Sequence, residues 1–218
     1  MMDHQFSSEQ KILIKDISSI MFDSVANSLG KMFGDEVFVR KVNCFEEAEV
    51  ALKAKENVED QHLLMMTTEV IGDLQAGTYL VLEPEYKQKL CSHLLPASVV
   101  GQLEMWEAVL LEMDNIAIAA MVTKLANILD VEIFGHVPEY AEDTCKNIVR
   151  VINEHKEEIN PCYAVEGEFY SFKLQVPMKV LCYFGQDFIP QIENFDLEKA
   201  YVGKKEKKEG GLFKRIFG

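Results

Sequence analysis

The sequence predicts an α/β (α+β) domain with an internal duplication, built from two long helices and a mostly antiparallel sheet. Three observations carry that expectation. Two long stretches keep apolar residues at helical spacing, at about 8–33 and up to Leu129. Apolar, β-rich segments come in pairs joined by short turns, in the manner of hairpins. Finally, each half reads long helix, strand, helix, then two strands, and Asp35-Glu36-Val37-Phe38 lines up with Asp130-Val131-Glu132-Ile133 at an offset of 95.

Taken in order, Ser7 followed by Gln10 is a capping-box pattern, and Ile12, Leu13, Ile17, Ile20, Met21, Val25, Leu29 and Met32 continue it as the first helix. Gly34 supplies the stop. Asp35–Val42 reads as a strand and Glu46–Lys55 as a short helix. His62–Ile71 and Gly77–Glu83 are two strands joined around Gly72-Asp73. Pro84 opens a helix over Glu85–Leu95, which Pro96 ends. The second long helix starts at Ser98 or Glu104 and ends at Leu129. After it come a strand at Val131–Gly135, a helix over Glu139–Lys156, strands at Tyr163–Phe169 and Phe172–Phe184, and a segment without a clear pattern to Tyr201. No Gly/Ser-rich linker separates Leu95 from Ser98, so half-repeats at about 8–95 and 98–185 form one domain over 1–202, and 203–218 is a tail.

Composition excludes several classes of function. The chain has 218 residues and a formal net charge of −14, and the tail is +4, leaving −14 − 4 = −18 on the rest. So acidic a body is unsuited to phosphate backbones, and nucleic acid is not an expected partner. No apolar run reaches the ~20 residues of a membrane span. The first residues show neither a basic start nor an apolar signal stretch, so the cytoplasm is the expected compartment. Five scattered cysteines (Cys44, Cys91, Cys145, Cys162 and Cys182) follow no zinc or CxxC spacing. They read as buried or neutral thiols, and no metal site or resident cofactor is expected.

The informative window is Glu104–Met121. Val109, Leu110, Met113, Ile116, Ala117, Ala120, Met121, Leu125 and Ile128 make a core stripe. Glu112 and Asn115, three apart, stand side by side away from it, with Ala108 and Ala119 one turn to either side. Two polar groups among small side chains suit close approach by another protein's surface. Trp106 reads as core, and His136, a lone histidine after a strand, has no assigned role.

This window resembles the signature of the CheC/CheX/FliY phosphatases: Asp or Ser, three residues, Glu, two residues, Asn, twenty-two residues, Pro. Glu112, Asn115 and Pro138 match the last three positions, and Ala108 stands where Asp or Ser is usual. The resemblance implies a CheC-like fold over about residues 8–185, its two long helices packed in pseudo-two-fold fashion on the sheet. It also implies a substrate, the phosphoaspartate of a CheY-type response regulator, and a Mg²⁺ supplied by that partner's receiver domain. Asn115 would hold the attacking water and Glu112 would pair with the regulator's lysine. At the offset of 95 the first-half equivalents are Ile17 and Ile20, both apolar, so one centre is expected; Ser24 and Asn27 read as structural. The same fold in flagellar switch middle domains implies an alternative, a binding module without catalysis, and an adaptor bridging two proteins is a third reading.

Within the tail, Gly210-Gly211 is a hinge before Leu212, Phe213, Lys214, Arg215, Ile216 and Phe217. Its apolar residues Leu212, Phe213, Ile216 and Phe217 read as a linear motif for a further protein partner.

Overall fold

The computed structural model describes residues 6–45 and 61–195. The short helix expected at Glu46–Lys55 and the tail motif of Leu212, Phe213, Ile216 and Phe217 lie outside the described residues.

Helix α1 (Ser8–Phe33) begins on the capping box read from the sequence, with Ser7 and Gln10 each bonding the other's backbone. It ends at Gly34 in the left-handed region, φ 58°. Next come β1 (Val37–Phe45), β2 (His62–Gly72), β3 (Ala76–Leu82), α2 (Glu85–Leu94) and α3 (Leu103–Leu129). The second half continues with β4 (Ile133–Gly135), β5 (Glu139–Thr144), α4 (Cys145–Ile159), β6 (Tyr163–Ser171), β7 (Val176–Phe184) and the short α5 (Phe188–Glu193).

The strands form one seven-stranded sheet in the order β1-β6-β7-β3-β2-β4, with β5 also paired to β2, and every pairing is antiparallel. This order is its own mirror about the β7–β3 contact: β1 answers β4 with β5, β6 answers β2, and β7 answers β3. Helices α1 and α3 pack on each other and on one face, burying Met21, Phe22, Met113, Ala117 and Met121 against Leu64, Met66, Val165 and Val180. Helix α4 covers part of the other face, with Ile148 and Ile152 against Met65, Tyr79, Leu181 and Tyr183. Among the described residues no helix is long and apolar enough to cross a membrane.

One expected element is corrected. Residues 139–144 belong to a strand, not to the start of the helix expected at Glu139–Lys156, and they pair with β2 from Thr67↔Glu139 to His62↔Thr144. Local propensity yields here to an open sheet edge, since the backbone groups of β2 are satisfied only by a neighbour. The helix starts six residues later, where the Thr144 hydroxyl accepts from the Asn147 N–H. The final segment, without a pattern in the sequence, contains α5, whose Phe188 stacks on Phe184 at 4.3 Å between ring centroids.

The duplication is closer than the sequence alignment suggests, and its spacing is 96, not 95. Nine buried positions of α1, from Ile14 to Phe33, each fall 96 residues before a buried position of α3, from Leu110 to Leu129. The left-handed residues that end the two helices, Gly34 and Asp130, share that spacing, both at φ 58°. Val37 pairs with Ser171 as Ile133 pairs with Gly72. The first-half counterparts of Glu112 and Asn115 are therefore Asp16 and Ser19, not Ile17 and Ile20, and Val42 stands opposite Pro138.

Gly72 locks the join between β2 and β4. Its φ of 122° is one that side chains rarely adopt, and a Cβ there would overlap the Glu132 carbonyl oxygen. The same carbonyl accepts from the Asp73 N–H at 2.9 Å, while the Asp73 carboxylate accepts from the Glu132 N–H at 2.8 Å. Gly72→Ala is expected to destabilise the fold by about 2 kcal/mol or more, read from chemical denaturation; a change within about 0.5 kcal/mol would contradict this account of the join.

Candidate functional site

At 100° per residue, the buried positions of α3 occupy roughly half of the helix's circumference. Ala108, Glu112, Asn115 and Ala119 fall together in the opposite half, and all four are exposed. The polar pair is exposed because the apolar stripe is satisfied elsewhere. Val109, Ile116, Ala120 and Ile128, expected in the core, are half-buried at the stripe's margins.

Beside this exposed strip runs an open groove that gathers the sequence-predicted residues. One wall is α3, through Ala108, Leu111, Glu112 and Asn115. The other is the connection from β4 to β5, through Gly135, His136, Val137 and Pro138. Both strands of that connection pair with β2, so residues 136–138 must bulge between two fixed points. The His136 N–H donates to the Glu69 carbonyl at 2.7 Å and holds the start of the bulge. Pro138, with no N–H to satisfy, sits just before the β5 ladder resumes. Sequence reasoning missed His136 and Val137 as parts of the wall. Val137, 74% exposed, presents an apolar side chain to whatever enters.

Below the strip lies an unusual group. Asp114 is fully buried, its Oδ2 accepts from the Thr68 hydroxyl of β2 at 2.6 Å, and its Oδ1 has no partner. The Thr68 carbonyl in turn accepts from the Thr78 hydroxyl of β3 at 2.7 Å. Burial pushes the Asp114 carboxyl up to about 6, with the Thr68 bond acting in the opposite direction.

Elsewhere the thiols are structural. None of the five cysteines is in a disulfide, and burial raises Cys44, Cys91, Cys162 and Cys182, which keeps them as thiols. Trp106 is half-buried, its indole N–H donating to the Val100 carbonyl at 2.5 Å. Among the described residues, no three His, Cys, Asp or Glu side chains are grouped to hold a metal ion.

Known structures share this architecture. FliY of Thermotoga maritima superposes with a TM-score of 0.60 at 16% identity, over 90% of this chain and all of that one. CheX of Borrelia burgdorferi, in its complex with CheY, BeF₃ and Mg²⁺, superposes at 0.52 with 14% identity, over 79% of this chain and 99% of that one. The fold is that of the CheC/CheX/FliY proteins. The FliM middle domain of H. pylori has it too, at 0.54 with 13% identity, over 86% of this chain and 99% of that one. No protein-family model matches the sequence, and neither does any curated protein. The likeness lies in the backbone, and residue roles follow from this chain's own site.

Asp114 makes stability depend on pH with a defined sign. Its carboxyl moves from the ordinary 3.8 to about 6 on folding. Its contribution is therefore complete below about 3.8 and lost as pH rises through about 6. Carboxylates lowered by their partners, such as Asp35 and Glu142, act in the opposite sense at lower pH, so the variant comparison is needed. Relative to Asp114→Asn, the wild type is expected to lose about 3 kcal/mol between pH 4 and pH 8. A difference that stays flat across that range in denaturation experiments would mean that the carboxyl titrates normally.

Proposed function

We propose that the chain is a response-regulator phosphatase, hydrolysing the phosphoaspartate of a CheY-type receiver domain. The observation that carries this reading is the groove itself: Glu112 and Asn115 stand exposed one turn apart on α3, with Pro138 on the facing wall and small Ala108 and Ala119 leaving the helix open to close approach.

An acyl phosphate is already activated, and phosphoryl transfer through a loose transition state needs positioned groups more than a covalent intermediate. Asn115 provides both a donor and an acceptor on one short side chain, which is what holding a water in line with the breaking P–O bond requires. Glu112 provides a charge that pairs with the receiver's lysine and sets how deeply Asn115 enters. The Mg²⁺ of the reaction belongs to the receiver, where it offsets charge on the phosphoryl oxygens. Ala108, in place of an Asp or Ser, removes one possible polar contact with the partner and leaves both working side chains.

A second reading, a binding module without catalysis, draws on the likeness to the FliM middle domain. The exposed Val137 in the groove wall suits either reading, because both need an apolar contact surface. In either case the motif of Leu212, Phe213, Ile216 and Phe217 would serve as a separate attachment to a further protein. That third role, an adaptor, adds to the first two and does not compete with them.

The readings separate in the decay of a phosphorylated CheY-type receiver with Mg²⁺, measured alone and with this protein. A phosphatase accelerates the decay, and Asn115→Ala lowers the acceleration about a hundredfold or more while receiver affinity is kept. Glu112→Lys weakens affinity about tenfold or more through charge repulsion. Parallel loss of binding and hydrolysis in Asn115→Ala would sink the water-positioning role, and no acceleration by the wild type would leave the binding module.

A further inference from the structure

The chemistry proposed for the groove makes no use of Asp114, yet the fold keeps a fully buried carboxyl with one unpartnered oxygen directly beneath the working side chains. A buried carboxyl is costly unless its oxygens are hydrogen-bonded or paired, and replacing buried charged groups with apolar ones is often neutral or stabilising, so its presence here calls for a reason. The internal duplication shows what is particular about it. At the spacing of 96, the counterpart of Asp114 is Ser18, also buried, whose hydroxyl donates to the Ile14 carbonyl of its own helix at 2.7 Å. Counting four residues back from Ser171 and from Gly72, which occupy equivalent pairs, the counterpart of Thr68 is Gly167. In the first half, then, Ser18 bonds the Ile14 carbonyl of its own helix and meets the Cys44 thiol of β1, and Gly167 offers it no side chain to reach. Only in the half that carries Glu112 and Asn115 do these two positions bond each other across helix and sheet.

Directionality makes such a bond useful. Apolar contacts along Leu110, Met113, Ala117 and Met121 hold α3 down but tolerate small rotations, because burial depends on area and not on angle. A short hydrogen bond from Thr68 to Asp114 fixes the helix's rotation, and the Thr78 hydroxyl extends the line to β3. Side-chain ends lie about 6 Å from a helix axis, so a rotation of about 10° moves them about 1 Å. A misplacement of about that size is enough to cost a factor near a hundred in a reaction that depends on positioning.

We propose that Asp114 is the positioning residue of the Glu112–Asn115 pair, fixing the rotation of α3 over β2 through the Thr68 hydroxyl. The inference rests on the phosphatase reading of that pair. Asn115, with its short side chain, is the more sensitive partner; Glu112, longer and charged, reaches its target over a wider range of helix positions.

The test uses the full chain as wild type, Asp114→Ala, Asp114→Asn and Thr68→Val, each first shown to be folded by circular dichroism. Turnover is measured on a phosphorylated CheY-type receiver, and affinity on the same receiver activated with beryllofluoride. Asp114→Ala and Thr68→Val are expected to lower turnover about tenfold or more while affinity changes by less than about threefold. Asp114→Asn keeps an oxygen that accepts from Thr68, and it is expected to recover at least about half of the turnover. Wild-type turnover in Asp114→Ala would overturn the inference, and so would equal loss in all three variants in step with lowered melting temperature. If the wild type accelerates no receiver, the phosphatase reading falls and NMR decides the positioning claim separately. The Asn115 side-chain amide and the His136 backbone amide should then shift or broaden in Asp114→Ala and Thr68→Val and stay near wild type in Asp114→Asn; spectra unchanged in all variants would reject it.

Discussion

The seating of α3 on the sheet is the interaction on which the rest of the molecule depends. One side of the helix must be buried from Leu110 to Leu129 against α1, β2 and β4, and this alone leaves Ala108, Glu112, Asn115 and Ala119 facing outward. Strand β2 is the other half of the constraint. It pairs with β3 on one side and with β4 and β5 on the other, so it places both the surface under α3 and the residues that flank the 136–138 wall. The groove is the space left where α3 meets the bulged connection of residues 136–138.

Duplication explains how such a site arises on one side of a nearly symmetric body. Both halves solve the same packing problem with the same nine buried positions per long helix. Among the differences between them are the exposed strip and the polar pair beneath it. Where the second half has Glu112, Asn115 and Pro138, the first has Asp16, Ser19 and Val42, and Ser19 turns its hydroxyl back to the Lys15 carbonyl at 2.8 Å. Ser19 cannot supply the donor and acceptor of a carboxamide, and its hydroxyl is already engaged. Fold and site are thus separable, and the architecture itself is shared with FliY, CheX and the FliM middle domain.

Much of the architecture was legible because its signals are local. The Ser7–Gln10 box, the stop at Gly34 and the apolar stripes each report a short-range requirement. The exposed pair was legible for the same reason, since spacing three apart on a helix fixes its face. What was not legible depends on tertiary partners. Glu139 to Thr144 carries three acidic residues and shows no strong strand propensity; it is a strand because β2 has an edge to fill. The spacing of 95 falls one residue short because the acidic Asp35 and Asp130 look alike, whereas the structural equivalent of Asp130 is Gly34, which shares its left-handed backbone. Asp114 is the hardest case: helical spacing sets it on the buried stripe between Leu110 and Ala117, but a carboxyl is not expected there, and the Thr68 hydroxyl that receives it comes from a distant strand.

The central claim is that the exposed face of α3 presents Asn115 to a receiver's phosphoryl group, and a structure of the full chain bound to a beryllofluoride-activated CheY-type receiver with Mg²⁺ tests it most directly. The account predicts the Asn115 carboxamide within hydrogen-bond reach of a water in line with the beryllium–aspartate bond and Glu112 against the receiver's lysine. A complex formed through any other face, with α3 open to solvent, would contradict it.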